Sequence, residues 1–195
     1  MIGKSHVAVN FCSVLSAASA GYILKHHIAP DSELAGSAVG AVRDVFCEAQ
    51  GVPVYAFVPM AAALFLIGSL LPDCDQERSA AGKYFHLPLG HRTWTHSIWA
   101  LVLLLLPALY FSPMRWLFLG YVLHLLWDSV SAAGVCLFYP FQRYREYGSG
   151  AKVKPGHKLK LYWTGKTSEF VTVGVIITLT LCLCGTAVYL FFTKT

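Results

Sequence analysis

Long apolar runs dominate the pattern of hydrophobic and polar positions along the chain. Two of them, Val54 to Leu71 and Phe170 to Phe192, contain no charged residue. A helix of about 20 apolar residues rises about 30 Å, which matches the hydrocarbon core of a bilayer. Because backbone groups in lipid must hydrogen-bond within their own segment, such runs are expected to be helices. The pattern predicts an all-α, polytopic membrane protein.

The pattern fits about five transmembrane helices in a single membrane-embedded domain that covers residues 1–195. They are predicted at Val7–Leu24, Val54–Leu71, Ser97–Phe111, Met114–Ala132 and Phe170–Phe192. Pro113 follows Ser112 between the third and fourth spans, so these two are expected to form a tight helical hairpin. A further helix is predicted over Ser32–Glu48, between the first two spans.

Composition and charge support the membrane class and set an orientation. Hydrophobic residues make up 56% of the chain and charged residues 13%, whereas about 25% is usual in soluble domains. Eleven of the 15 lysines and arginines fall on the side that holds the N-terminus and the 72–96 and 133–169 loops. Basic loops favour the cytoplasm, so this side is expected to face it, in a bacterial-type inner membrane.

The basic stretch 143–166 is expected to attract anionic lipid headgroups. No aromatic-interleaved binding motif accompanies this charge, so nucleic acid is not an expected partner. The sequence does not indicate an oligomeric state. Its six cysteines include no CxxC pair, which argues against a zinc site built from thiolates.

Histidines and carboxylates gather at the predicted cytoplasmic ends of the spans. The set is His6, Asp73, Asp75, His91, His96, His124, Asp128 and Glu169. His124 and Asp128 are four residues apart and share one helix face. Ionisable residues within a span are costly and usually line a functional interior. The pair therefore indicates metal ligation, with a structural hydrogen bond between the two as the alternative.

The number and type of these residues suggest which metal they would bind. Imidazole and carboxylate together suit zinc, manganese or iron better than calcium. The set is also larger than the four ligands that one zinc ion requires. The sequence therefore predicts two or three divalent metal ions, with zinc favoured over manganese or iron.

The order of these residues resembles a known family. His6, the segment Leu71-Pro72-Asp73-Cys74-Asp75, the segment His91-Arg92-Thr93-Trp94-Thr95-His96-Ser97, the pair His124 and Asp128, and Glu169 look like the YdjM-type membrane-bound metal-dependent hydrolases. That family is thought to be distantly related to zinc-dependent phospholipase C and P1 nuclease. Thr93 stands where the family pattern has glycine. The resemblance covers most of the chain and implies helix ends that converge on a polynuclear metal centre.

The leading hypothesis is a metal-dependent hydrolase that cleaves a phosphoester, with a membrane lipid as the substrate. The expected metal ligands are His6, Asp73, His91, His96, His124, Asp128 and Glu169. Asp75 is a further ligand or the base that accepts the proton of the attacking water. Arg92 is expected to clamp a phosphate through its forked donors. Thr95 and Ser97 are expected to hydrogen-bond to the ligands.

Two other classes of function use the same residues. A divalent-metal transporter would need a polar path across the bilayer, but the fifth predicted span offers only threonines and cysteines as polar groups. A non-catalytic membrane scaffold would use the set as a structural metal site closed to water.

Overall fold

The computed structural model describes residues 3–28, 30, 32–47, 53–77, 79–89, 92–141 and 161–193. These residues form an all-helical fold. Its α-helices are α1 Gly3–Ile23, α2 Glu33–Cys47, α3 Val54–Leu70, α4 Ile98–Tyr110, α5 Ser112–Val130 and α6 Thr167–Thr193. A π-helical turn, Leu24–Ile28, extends α1, and 3-10 turns lie at Leu71–Asp75 and Trp94–His96. One isolated parallel bridge joins Ser131 to Tyr162 in the described part of the chain.

Proline and capping positions explain where several helices begin and end. Pro53 precedes α3, and Pro72 lies at the start of the 3-10 turn that ends it. Proline is favoured at the first turn of a helix because the amide hydrogen that it lacks would have no partner there. Pro113 in the first turn of α5 has the same effect. Only Phe111 lies between the end of α4 and the start of α5. This short connection confirms the predicted hairpin.

Three of the described helices are long and apolar enough to cross a membrane. These segments are Lys4–Ile28, Tyr55–Asp75 and Thr167–Thr193, with 25, 21 and 27 residues. The helix α4 is apolar but shorter, with 13 residues. The helix α5 has 19 residues and carries Arg115, His124 and Asp128, so its composition is more polar. The long helices support an integral membrane protein, and the full count of five spans remains a prediction.

Two glycines allow α3 and α5 to pack in close backbone contact. A Cβ atom on Gly68 would collide with the carbonyl oxygen of Leu117, and one on Gly120 would collide with that of Phe65. Small residues at such positions let membrane helices approach closely when no hydrophobic force drives them together. The contact places the C-terminal ends of α3 and α5 side by side, which is where the predicted ligands lie.

The centre of the helix bundle is polar, whereas its outer surface is apolar. Asn10 of α1 is fully buried and donates hydrogen bonds to Ser69 Oγ of α3 at 3.0 Å and to Gly120 O of α5 at 3.2 Å. On the outside, Leu103 of α4 is 69% exposed and Phe192 of α6 is 71% exposed. Buried polar side chains with exposed apolar ones suit a protein whose outer surface meets lipid.

The helix α6 lies against α1 at the side of this bundle. Ser16 and Thr180 share a hydrogen bond of 2.9 Å between their hydroxyls, and Ser19 and Cys184 share a contact of 3.3 Å. Short polar side chains at a membrane helix contact combine close approach with hydrogen bonding. The first turn of α6 holds Glu169 at the same end of the bundle as His6.

Candidate metal centre

Five of the predicted ligands come together at one end of the bundle. They are His6 from α1, Asp73 from the turn after α3, His96 from the turn before α4, and His124 and Asp128 from α5. The three histidines and Asp128 are fully buried, and Asp73 is 7% exposed. An isolated buried carboxylate is unfavourable unless it is paired or coordinates a metal. The two carboxylates therefore need compensating positive charge, and Arg92 supplies part of it at 3.0 Å from Asp128.

Asp128 lies at the centre of the cluster. Its Oδ1 is 3.2 Å from His6 Nε2. Its Oδ2 is 3.4 Å from His96 Nε2, 3.9 Å from His124 Nε2 and 3.0 Å from Arg92 Nη2. One carboxylate thus presents different oxygens to different histidines, which is an arrangement that can bridge two ions.

Two short turns present the remaining ligands. Ser79 donates a hydrogen bond of 2.6 Å to the carbonyl of Asp73, which holds the turn Leu71–Asp75 in place. The hydroxyl of Ser97 donates to the carbonyl of Trp94 at 2.7 Å. The bond found for Ser97 stabilises the turn that carries His96, so Ser97 acts on the backbone of this turn.

His124 is held in one tautomer by the backbone of α3. Its Nδ1 lies 2.7 Å from the carbonyl oxygen of Ser69, which can only accept, so Nδ1 carries the hydrogen. In the neutral ring Nε2 then presents a lone pair. That nitrogen faces Asp73 Oδ1 at 3.5 Å and has no hydrogen-bond partner among the described residues. A lone pair opposite a carboxylate is repulsive unless a proton on Nε2 or a bound cation lies between them.

His96 is oriented in a similar way by Thr95 and Asp75. The hydroxyl of Thr95 donates its hydrogen to Asp75 Oδ2 and lies 3.0 Å from His96 Nδ1. Because the hydroxyl has only one hydrogen, its oxygen accepts from Nδ1. The other ring nitrogen, Nε2, is turned toward Asp128. A carboxylate behind a histidine is a common support for a metal ligand.

The spacing of the donor atoms fits a metal ion. In a tetrahedral site with bonds of about 2.0–2.1 Å, neighbouring donors lie about 3.3 Å apart. Three separations between imidazole nitrogens and carboxylate oxygens, 3.2, 3.4 and 3.5 Å, are close to this value, whereas His124 to Asp128 at 3.9 Å and His96 to Asp73 at 4.0 Å are longer. Two overlapping groups qualify, His6 with Asp73 and His124, and His96 with His124 and Asp128. Both contain His124, whose Nε2 could coordinate only one ion.

Arg92 points into the protein and holds Asp128. Besides the ion pair with Asp128, its Nη1 donates to the carbonyl of Gly134 at 2.7 Å. Its backbone N–H donates to Asp75 Oδ2 at 3.0 Å. The residue adopts a φ of 62°, a left-handed conformation that costs a non-glycine residue about 1–2 kcal/mol. In the described geometry the guanidinium orients the Asp128 carboxylate, and its role as a phosphate clamp stays a prediction.

The other predicted site residues lie around or outside the five-residue cluster. Asp75 is 5% exposed and lies behind His96, with Nδ1 of that ring 3.6 Å from its Oδ2. Glu169 is fully buried, and its Oε2 accepts a hydrogen bond of 2.7 Å from the amide of Gly165, just before α6. Ligation by Glu169 stays a prediction. His91 and most of the basic stretch 143–166 lie outside the described residues.

Two residues that sequence reasoning did not select support the cluster. Ser69 fixes the tautomer of His124 through its carbonyl oxygen and binds Asn10 through its hydroxyl. Asn10 lies one turn after His6, on the same face of α1. Asn10 could have been found from the sequence, because it is a polar residue inside an apolar span and lies four positions after the candidate ligand His6. Ser69 acts on His124 through its backbone carbonyl, so its side chain gave no signal for that contact.

The surroundings of His96 lead to a testable pH dependence of the metal-free protein. Burial works against the protonated ring, but hydrogen bonds with Asp128 and Asp75 outweigh it and raise the pKa of His96 from 6.5 to about 9. The folded-state pKa lies above the unfolded one. Protonation therefore contributes stability that is fully present below about pH 6.5 and is lost as the pH rises through about 9.

We expect the thermal unfolding midpoint of chelator-treated protein in detergent to fall between about pH 7 and about pH 10. Lysine and tyrosine titrate in the same range, so the His96→Gln variant is the matched control. Its midpoint should fall less steeply, since glutamine has no proton to lose. Parallel curves for the two proteins would contradict the assignment to His96.

Comparison with known proteins identifies relatives of the chain. The family model of the YdjM inner membrane protein matches residues 1–191. The chain is similar to the inner membrane protein YdjM of Escherichia coli (strain K12), with 35% identity over 91 residues that cover 38% of this chain and 46% of that protein. The YdjM protein of Shigella flexneri gives the same values.

The chain thus spans about half the length of the curated relatives that it matches. No solved structure matches it. These matches concern YdjM alone, so the distant relation to zinc-dependent phospholipase C and P1 nuclease stays a prediction from the resemblance.

Proposed function

This chain belongs to the YdjM inner membrane protein family, and we propose that within the membrane its helix-end cluster binds divalent metal and hydrolyses a phosphoester of a membrane lipid. The residues that would hold the metal are His6, Asp73, His96, His124 and Asp128. They offer more donors than one four-coordinate ion takes up. Two ions would use the set more completely, with zinc favoured and manganese or iron as alternatives.

The observation that carries the proposal is the orientation of His124. The carbonyl of Ser69 takes the hydrogen on Nδ1 at 2.7 Å, and Nε2 is left facing the carboxylate of Asp73 at 3.5 Å. In the neutral tautomer that this bond selects, Nε2 has no hydrogen to donate to that carboxylate, so its lone pair is open to a cation. The orientation is the one that a metal ligand adopts when a backbone acceptor fixes its ring.

The chain's own residues then divide into ligands and supports. A divalent metal bound here supplies Lewis-acid stabilisation of a phosphoryl oxygen and lowers the pKa of water. Asp75 and Thr95 orient His96, and Arg92 orients Asp128. Because Asp75 is engaged behind His96, Asp73 is the carboxylate of this turn that faces the centre. Asp73 therefore counts among the ligands, and acceptance of the proton that water loses stays a prediction for Asp75.

The surroundings of the cluster favour a lipid as the substrate. Aromatic side chains at the same end of the bundle are exposed, among them Tyr84, Trp94, Phe141 and Trp163. Such residues prefer the headgroup level of a bilayer, so a lipid phosphate would lie at the depth of the cluster. By the distribution of basic residues, this end faces the cytoplasm.

Release of phosphate or of a phosphorylated headgroup from lipids in mixed micelles tests the proposal. Phosphatidic acid, phosphatidylglycerol and an isoprenoid diphosphate are suitable probes, each with zinc or manganese resupplied. We expect metal-dependent turnover of at least one of them and a loss of about 100-fold or more in His124→Gln, because a direct ligand is removed. Glu77→Gln is the matched control, since the Glu77 side chain is 80% exposed. Equal turnover in wild type and His124→Gln would refute the assigned centre.

A further inference from the structure

An apolar cleft lies beside the cluster, on the outer side of the bundle. Its volume is about 310 Å³, and α4 forms one wall through Trp99, Ala100, Leu103 and Leu104. Phe85, Leu87 and Leu89 also line the cleft. Binding pockets for small molecules start at about 300 Å³, so the cleft has room for part of a ligand.

The floor of the cleft is apolar, because the polar groups of the residues that form it are already hydrogen-bonded within the protein. Tyr121 is 3% exposed, and its hydroxyl donates to the carbonyl of Thr95, which also lines the cleft. The hydroxyl of Thr95 is committed to Asp75 and His96. An occupant therefore contacts apolar groups, and a hydrocarbon chain is the best match because its burial there removes apolar surface from water.

The cleft continues into the surface of α4 that faces away from the bundle. At its rim Trp99 is 49% exposed and Leu103 is 69% exposed, and Leu106 extends the apolar surface along the same helix. The Trp99 indole donates to the carbonyl of Tyr139 at 3.0 Å, which holds it at the end of α4 nearest the cluster. Tryptophan favours the boundary between headgroups and hydrocarbon. The occupant would therefore enter from the bilayer.

The cleft and the cluster share a wall. Thr95 lines the cleft and contacts His96, and Cys74 lines it between Asp73 and Asp75. A lipid with its chain in the cleft would hold its headgroup at the level of the cluster. We infer that this cleft binds one hydrocarbon chain of a membrane lipid. The inference rests on the proposed function only in taking that lipid as the substrate, since binding of the chain requires no turnover.

Photolabelling of the full protein in lipid vesicles tests the inference. One probe is phosphatidylglycerol with a diazirine in an acyl chain, and the other is an isoprenoid phosphate with the same group. Ala100→Trp fills the cleft, and Ala100→Leu is a milder version. Val102→Trp is the matched control, because it adds the same side chain to α4 at an exposed position outside the cleft.

We expect saturable labelling of Tyr121 and Leu104, reduced about tenfold in Ala100→Trp and unchanged in Val102→Trp, because several methylenes lose their buried site. The probe that labels more strongly identifies the chain as acyl or isoprenoid. Labelling spread evenly over α4 and α6 and insensitive to both Ala100 variants would overturn the inference. The label reports binding of the chain whether or not the lipid is cleaved. Its result is therefore independent of the result of the hydrolysis assay.

Discussion

Asp128→Asn is expected to lose metal binding and most of the hydrolytic activity. The substitution keeps the volume of the side chain but removes the charge that faces His6, His96 and Arg92 at 3.2, 3.4 and 3.0 Å. It also leaves Arg92 without its carboxylate, and breaking a buried ion pair costs about 3–5 kcal/mol. Competition with a chromogenic zinc chelator measures the affinity, and thermal unfolding in detergent measures the stability.

The control for Asp128→Asn is again Glu77→Gln, which neutralises a carboxylate outside the cluster and should keep both properties. We expect the zinc affinity of Asp128→Asn to fall by about 100-fold or more. Wild-type zinc affinity in the variant would remove Asp128 from the centre, whatever its effect on stability.

Gly68→Ala is expected to be the most damaging of the small substitutions in the spans. The new Cβ would meet the carbonyl of Leu117 in α5, and a backbone atom cannot move aside as a flexible side chain can. Overpacking of this kind costs about 1–3 kcal/mol and sometimes more. The helices α3 and α5 would have to separate, which also moves Ser69 and Asp73 away from His124. Folded yield and metal affinity should therefore fall together.

Gly185→Ala provides the matched control for Gly68→Ala. A Cβ at Gly185 of α6 meets nothing within 4 Å. Alanine also has a higher helix propensity than glycine by about 1 kcal/mol, so this variant should be as stable as the wild type or more so. Similar losses of folded protein in both variants would show that close packing of α3 on α5 is not the cause.

The helices were predictable from the sequence because lipid imposes a simple constraint. The prediction of Ser97–Phe111 corresponds to α4, Ile98–Tyr110, and Phe170–Phe192 corresponds to α6, Thr167–Thr193. The difference at α6 has a physical reason. Helices in membrane proteins continue into the polar interface, so the first turn of α6 includes Glu169, which hydropathy alone excluded.

The convergence of the five central side chains was predictable because each stands at the same end of its span. The direction of a neighbouring side chain was not predictable in the same way. Arg92 follows His91, but its left-handed backbone conformation turns the guanidinium inward to Asp128. A positive φ at a non-glycine residue depends on the surrounding contacts, here the hydrogen bond of its amide with Asp75.

The supports of the cluster depend on tertiary contacts that no local pattern encodes. The bond from His124 to the carbonyl of Ser69 requires the close approach of α3 and α5, which Gly68 and Gly120 permit. Asn10 completes the contact from α1. Spacing along the chain could select the candidate ligands, but only the packing of three helices shows that Nε2 of His124 has no hydrogen-bond partner among the described residues.

Elemental analysis of the detergent-purified protein tests the central claim most directly. The comparison is between the wild type and the double variant with Asp128→Asn and His96→Ala, both purified without chelators and resupplied with zinc, manganese and iron. The account predicts about two equivalents of divalent metal in the wild type, as in two-metal hydrolases, and their loss in the double variant. A wild-type protein that is folded and holds no metal after resupply would contradict it.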